Sequence, residues 1–394
     1  MSQLPQLPQL PKELLECYGA PYGPASCEHA LSDLAARNVH AWCPDGVIDT
    51  SKVRRVSAIS DIHGDAGWLL FGMQLAGLIV KREKKRPGAG YAYKYVAEGN
   101  EDHALVICGD VADDMRGAET DDVRMEGFAS ERGTGTWNAL AFISYLVARK
   151  NAKIVVVLGN HEIMNLMGES VVGYKRDATL RQEASREGWT GGMRALLAPV
   201  HVAVCAGNVL FMHAEPPIFE GGPSIEERMS VTAFTRSINA KAREEFAAQA
   251  RFSPLVVASV WGRKLGIEVS PESCARYIKM FPGATLVRGH CPNRPDRIPR
   301  DALVFGTRSF GYNKNGGAVY VASRRSDLQG SDQGSGYPGV VVSCGKGDSF
   351  AGSVFRIDCM GSLAFSDEER DRSVVTFVLG VDGRFTVRCV VGRR

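Results

Sequence analysis

Seven residues of types that bind metals or move protons stand just past the ends of five short apolar runs. Asp61 and His63 lie two apart in SDIHGD, Asp110 closes HALVICGD, and Asn160 and His161 close KIVVVLGNHE. His213 and His290 follow the runs NVLFMHAE and ATLVRGHC. Any one of them, alone, reads as a turn or capping residue; five run ends carrying the same chemistry make the case. Carboxylate, imidazole and amide oxygen, with no cysteine in the set, suit hard to borderline divalent ions such as Mn²⁺, Fe, Zn²⁺ or Mg²⁺ rather than a thiolate site, with Mn, Fe or Zn expected. The ligand count implies two ions. Asp61, His63 and a bridging Asp110 can hold one, and Asp110 with Asn160, His213 and His290 the other, at a separation of roughly 3.5–4 Å. A pair that close generates a hydroxide nucleophile at neutral pH and clamps a phosphoryl group for in-line attack.

Such a site needs elements that bring distant residues to one edge. VRRVSAIS from Val53, HALVICGD (103–110) and KIVVVLGNHE (153–162) are continuous apolar runs of the kind buried in a parallel sheet, each closed by a polar loop. The runs ending at His213 and His290 follow the same plan. Parallel strands deliver their C-terminal tips to one sheet edge, where open α/β sheets place their chemistry. Helical spacing of apolar residues marks Trp68 to Val80, Trp137 to about Arg149, and the region from Ile238 to Ala250. The basic stretch KREKKRPGAG (81–90) reads as a solvated loop.

Composition excludes several classes. The 394 residues are 44% hydrophobic and 23% charged, a globular balance that rules out wholesale disorder and collagen-like repeats. Lys and Arg total 47 against 44 for Asp and Glu, so net charge indicates neither a nucleic acid nor a membrane surface as partner. Ten cysteines without a CxxC pair do not form a disulfide framework. There is neither the basic-then-apolar pattern of a secretory signal nor an apolar window long enough to span a bilayer, and the expectation is a cytoplasmic protein. Residues 1–50 read as an N-terminal arm and extension whose Pro-rich start, with Pro at every third position from Gln3 to Pro11, is expected to be disordered. Residues 51–394 read as one catalytic domain, with a mobile Gly/Ser-rich insertion near 311–350 and a C-terminal β-hairpin turning at Asp382-Gly383.

The words SDIHGD, GDVADDMRG, GNHE, FMHAE and VRGHC, in that order, resemble the calcineurin-like metallophosphoesterases, in particular the phosphoprotein phosphatase branch with its GDxHG, GDxxDRG and GNHE motifs. The resemblance runs from about Val53 to Phe365. GNHEIMN (159–165), ASVWGRK (258–264) and VFRIDCMGS (354–362) are most similar to the Shewanella-like protein phosphatases. It implies an α/β fold of central sheets in a sandwich, flanked by helices, with a dimetal site at strand C-terminal ends. It also implies metal ligation by Asp61, His63, Asp110, Asn160, His213 and His290, and His161 as proton donor to the leaving oxygen. Arg116 and Arg263 would hold the phosphate, a task to which the guanidinium fork is suited. Either Asp113 or Asp114 would orient His161.

Three departures from the family pattern stand out. GDVADDMRG is two residues longer than GDxxDRG, so either Asp113 keeps the family position and Arg116 moves, or Asp114 and Arg116 travel together. HAE replaces HGG, and Glu215 is expected to bring a negative charge near the phosphate and discourage multiply charged substrates. GHC replaces GHT, with Cys291 expected as a small buried residue. The leading expectation is a metal-dependent phosphomonoesterase acting on phosphorylated protein or peptide. Two alternatives remain: an ApaH-like hydrolase of dinucleoside polyphosphates or capped RNA ends, and a catalytically degenerate phosphatase fold that serves as a binding module.

Overall fold

The computed structural model describes residues 34–82, 92–113, 124–125, 128–129, 135–167, 197, 199–217, 229–248, 251–265, 271–291, 303–305, 311–312, 318–319, 322–324, 339–343, 353–357, 371–379 and 385–393.

Two large sheets form the centre. In chain order their strands are β1 (Arg55–Ile59), β2 (His103–Cys108), β3 (Lys153–Val157), β4 (Ala203–Ala206), β5 (Val209–Met212), β6 (Thr285–Arg288), β7 (Leu303–Phe305), β8 (Ala322–Arg324), β9 (Gly339–Ser343), β10 (Ser353–Arg356), β11 (Asp371–Leu379) and β12 (Phe385–Arg393). One sheet has the order β12-β11-β1-β2-β3, the other β8-β7-β9-β10-β6-β5-β4. In the first, β1, β2 and β3 are parallel, and β1 also pairs antiparallel with β11. In the second, β6 is parallel to both β5 and β10. The two sheets face each other through Phe377 of β11, whose ring packs edge-on against Phe211 of β5 at 5.7 Å and Phe355 of β10 at 5.5 Å. Burial explains the apolar runs: every residue of β2, β5 and β6 is buried, as parallel strands covered on both faces require.

Helices cover the sheets and set the exits of the loops. Asp65 caps the helix Ala66–Leu75 by accepting from Trp68 N at 2.9 Å. That helix stops short of the predicted Val80: the chain turns at Gly77, with φ of +78°, and residues Ile79–Arg82 form a strand against Ala92–Tyr95. Lys81 and Arg82, expected in a loop, belong to that strand. Helices also form at residues 34–40 and at Gly135–Lys150, Asn160–Leu166, Val231–Ala247, Pro254–Trp261 and Pro271–Met280.

Residues 34–48, assigned above to the N-terminal extension, pack into the common core. Trp42, Cys43 and Ile48 are buried there, and Ile48 N donates to the carbonyl of Cys205 at 2.8 Å. The Pro-rich start lies outside the described residues. Within 311–350, expected as a mobile excursion, the described residues are strands: β8 and β9 join the second sheet through β7, and Gly311–Tyr312 pairs with Ala318–Val319. Strands β11 and β12 form the C-terminal antiparallel pair, in register from Asp371↔Arg393 to Leu379↔Phe385; Asp382 and Gly383 lie outside the described residues.

Candidate metal centre

The five tips meet, but across two sheets rather than along the edge of one. Asp61, Asp110 and Asn160 with His161 follow β1, β2 and β3 of the first sheet, while His213 and His290 follow β5 and β6 of the second. Backbone bonds lock the tips together: Asp61 N donates to Gly109 O at 3.1 Å, His63 N to Asp110 O at 2.8 Å, and His290 N to Asp61 Oδ2 at 3.3 Å. Gly109 is required where the sheets approach. Its φ is +79°, and a Cβ there would stand 2.6 Å from His213 Nδ1.

Asp110 is the hub. Its Oδ2 lies 3.2 Å from His213 Nε2 and 3.7 Å from the Nε2 atoms of both His63 and His161. His213 Nε2 also lies 2.9 Å from Asn160 Oδ1, and His213 Nδ1 bonds the Cys108 carbonyl at 2.8 Å. His63 Nε2 is 3.9 Å from Asp61 Oδ1, and its Nδ1 faces the Ala112 carbonyl at 3.2 Å. All of these residues are buried. Asp61, His63, Asp110, Asp113 and His290 each hold a positive φ between 47° and 68°, a conformation that costs a non-glycine residue about 1–3 kcal/mol and clusters at functional sites.

Electrostatics divides the imidazoles. Burial, reinforced by the charge of His161, pushes His63 down to about 3. Burial, with His213 and Arg288 nearby, holds His290 well below its ordinary value. Burial also opposes charge on His161, but the Asp110 carboxylate and the hydrogen-bonded Asp113 outweigh it and raise its pKa to about 9. At neutral pH His63 and His290 are therefore neutral, the form that ligates metal, and His161 is an imidazolium. Burial would raise Asp110, yet His213 and His161 hold it well below the usual carboxylate range.

His161 Nδ1 stands 2.8 Å from Asp113 Oδ2, and Asn165 Nδ2 donates to Asp113 Oδ1 at 3.0 Å. Of the two carboxylates considered for this place, Asp113 occupies it; Asp114 and Arg116 lie outside the described residues. Arg263 Nε donates to His290 Nε2 at 3.3 Å, beside the site.

Residues 54–293, more than half of the chain, match the family model for the calcineurin-like phosphoesterases. The chain belongs to the calcineurin-like metallophosphoesterase family. A search of curated proteins finds no significant match. Solved structures similar to this metallophosphoesterase include the cold-active protein-tyrosine phosphatase of a psychrophilic Shewanella species, 16% identical, covering 86% of this chain and 80% of that one, with a TM-score of 0.45. Another is a protein serine/threonine phosphatase from Saccharomyces cerevisiae with similarity to human phosphatase PP5, 12% identical, covering 95% and 92%, with a TM-score of 0.43.

The donor chemistry of this metallophosphoesterase fits divalent metal. Two groups sharing Asp110, namely His63, Asp110 and His161, and Asp110, His213 and His290, each bring their ligand atoms within 4.8 Å of one another. The first includes His161, which the sequence resemblance makes a proton donor.

Glu162, Asn165 and Arg288 escaped the sequence reading of the site. Glu162 accepts from the backbone N–H of Asp110, Ala112 and Gly159 at 2.9, 2.7 and 2.6 Å, tying the loops after β2 and β3 together; its place three residues after Gly159 is capping-box spacing, and was the signal. Asn165 stands one helical turn after His161. Glu215 is not near a phosphate as a free charge. It is buried, and pairs with Arg288 at 2.9 Å, so the expected bias against multiply charged substrates loses its basis. Arg288 sat in an apolar run, where a charge requires a buried partner. Cys291 is a buried thiol outside any disulfide, and its sulfur accepts from Arg288 Nη2 at 3.0 Å.

Proposed function

We propose that this metal-dependent phosphoesterase is a phosphomonoesterase acting on phosphorylated protein side chains. Asp61, His63, Asp110, Asn160, His213 and His290 hold two divalent ions, Mn, Fe or Zn by donor type. When bound, the ions supply Lewis-acid polarisation of the phosphoryl oxygens and a lowered pKa for water. The chain's own residues do the rest. His161, charged and aimed by Asp113, gives a proton to the departing oxygen. Arg263, at the margin beside His290, forks onto the phosphate. Glu162 holds the two loops in the register that this geometry needs.

The observation that carries this reading is the convergence of two donor groups on Asp110, His63 with His161 and His213 with His290, beside the bond of His161 Nδ1 to Asp113 Oδ2 at 2.8 Å. A cytoplasmic setting is part of this reading, in keeping with Cys43, Cys108, Cys205 and Cys291 as buried thiols outside any disulfide.

The test is orthophosphate release by Mn²⁺-supplemented protein from phosphoserine, phosphothreonine and phosphotyrosine peptides, set beside chromatographic detection of ADP, ATP and AMP released from diadenosine tetraphosphate. Peptide turnover is expected. Turnover of the dinucleotide alone would favour the polyphosphate hydrolase instead, and metal binding without any turnover would favour a binding module.

A further inference from the structure

We propose that the buried Glu215–Arg288 ion pair is a splint that positions Arg263 for phosphate, an inference that rests on the phosphatase reading above. Arg263 follows the helix Pro254–Trp261 by two residues, at a point where the chain has left regular structure. Three contacts fix the backbone around it. Arg288 Nη2 donates to the Gly262 carbonyl at 2.9 Å, on the N-terminal side of Arg263. On its C-terminal side, Lys264 N and Leu265 N donate to Glu215 Oε1 and Oε2 at 2.8 and 2.6 Å. The pair itself closes at 2.9 Å between Arg288 Nη1 and Glu215 Oε2. Arg288 is fully buried and Glu215 nearly so, so neither reaches a substrate.

The placement in sequence explains what the splint couples. Glu215 lies two residues after His213, and Arg288 two residues before His290. Both residues of the pair are thus anchored to tips that carry the imidazoles of the second donor group, and the guanidinium of Arg263 is brought to 3.3 Å from His290 Nε2. A flexible segment would leave that fork to find the phosphate by chance. Held at both flanking peptides, it is preorganised, and displacement of about 1 Å in such a group can cost roughly 10²-fold in rate. Gly262 fits the same account: a Cβ there would press on Glu215 Cγ and stand 2.7 Å from Oε1. No larger residue fits between the splint and the segment it holds.

A structural ion pair and a positioning one are separated by a double-mutant cycle with Arg263. Glu215→Gln is expected to lower kcat/KM on a phosphopeptide by roughly 10²-fold, through a raised KM and a lowered kcat. Its metal content should stay unchanged, and inorganic phosphate measured by calorimetry should bind more weakly. In the Arg263→Ala background the same change should cost about twofold or less, because the group it positions is gone. Gly262→Ala, which alters no charge, provides a second route to the same displacement should Glu215→Gln fail to fold, and is expected to show the same dependence on Arg263. Equal losses in both backgrounds, or undiminished phosphate affinity in these variants, would overturn the proposal. Absence of turnover in the unaltered protein would instead remove the phosphatase reading, a result the cycle cannot produce.

Discussion

Asp113 Oδ2 lies 2.8 Å from His161 Nδ1, inside a pocket where both are buried. That bond leaves Nε2 as the ring's outward donor and fixes where it points. His161→Gln is expected to lose about 10²–10⁴ in rate on an alkyl phosphate, the span of general acid catalysis. p-Nitrophenyl phosphate, whose leaving group scarcely needs a proton, should lose far less. Asp113→Asn should show the same leaving-group pattern with a smaller fall. Equal losses on the two substrates would assign His161 to metal binding instead.

Asp110 belongs to both donor groups, so Asp110→Asn should empty both positions together. The amide oxygen can still accept from His161 N, a bond of 3.0 Å in the unaltered protein, and the fold should survive. Elemental analysis after gel filtration, with circular dichroism as the folding control, checks both halves of this expectation. Retention of one full equivalent of metal would show that Asp110 does not bridge.

Arg263→Ala should raise KM and lower kcat together, since a phosphate contact strengthens as charge develops on the transferring group. Lysine should not rescue it, because an ammonium lacks the planar fork. Parallel kinetics on Arg116→Ala apportion the work: wild-type constants for that variant would leave the phosphate to Arg263.

His201 sets an acid limit on stability away from the site. It is buried, and neither ring nitrogen meets a partner among the described residues. Burial, with Arg243 nearby, lowers its pKa to about 3. The folded state therefore keeps the ring neutral while the unfolded chain protonates below about 6.5. Stability from this group is complete above that value and is lost as pH falls toward 3, at up to about 1.4 kcal/mol per pH unit. Urea midpoints taken between pH 7 and 5 should fall less steeply for His201→Leu than for the unaltered protein.

Much of the site was legible because its residues sit at the ends of apolar runs, and burial on both faces forces such runs into parallel strands. Periodicity is blind to pairing, however, so the division of the five tips between two sheets was not visible. Glu215 shows a second limit. Its charge could be read but not its direction, which is set by Arg288, 73 residues away. The Asp113 and Asp114 alternatives differ by a single step of the backbone, and only the left-handed φ of 68° at Asp113 turns its carboxylate onto His161. β9 is a β-branched run, GVVVS, that strand propensity favours, and only the Gly/Ser-rich residues before it hid it. Trp42 went unread although Ala35, Val39 and Trp42 recur at helical spacing, and residues 34–40 are a helix buried on that face.

The pairing of β1 with β11 has a consequence for biosynthesis. Arg55↔Val378 and Ala58↔Val375 bridge more than 300 residues, and β1 is the strand that leads to Asp61. As the chain emerges from the ribosome, β1 and β2 can pair early, but the other edge of β1 stays open until residue 379 has appeared. Throughout that interval a strand with four buried apolar or small residues presents unpaired N–H and C=O groups to its surroundings. A nascent chain arrested before β11 would thus be prone to edge-to-edge association, and release of the last strands is the moment at which the first one becomes safe.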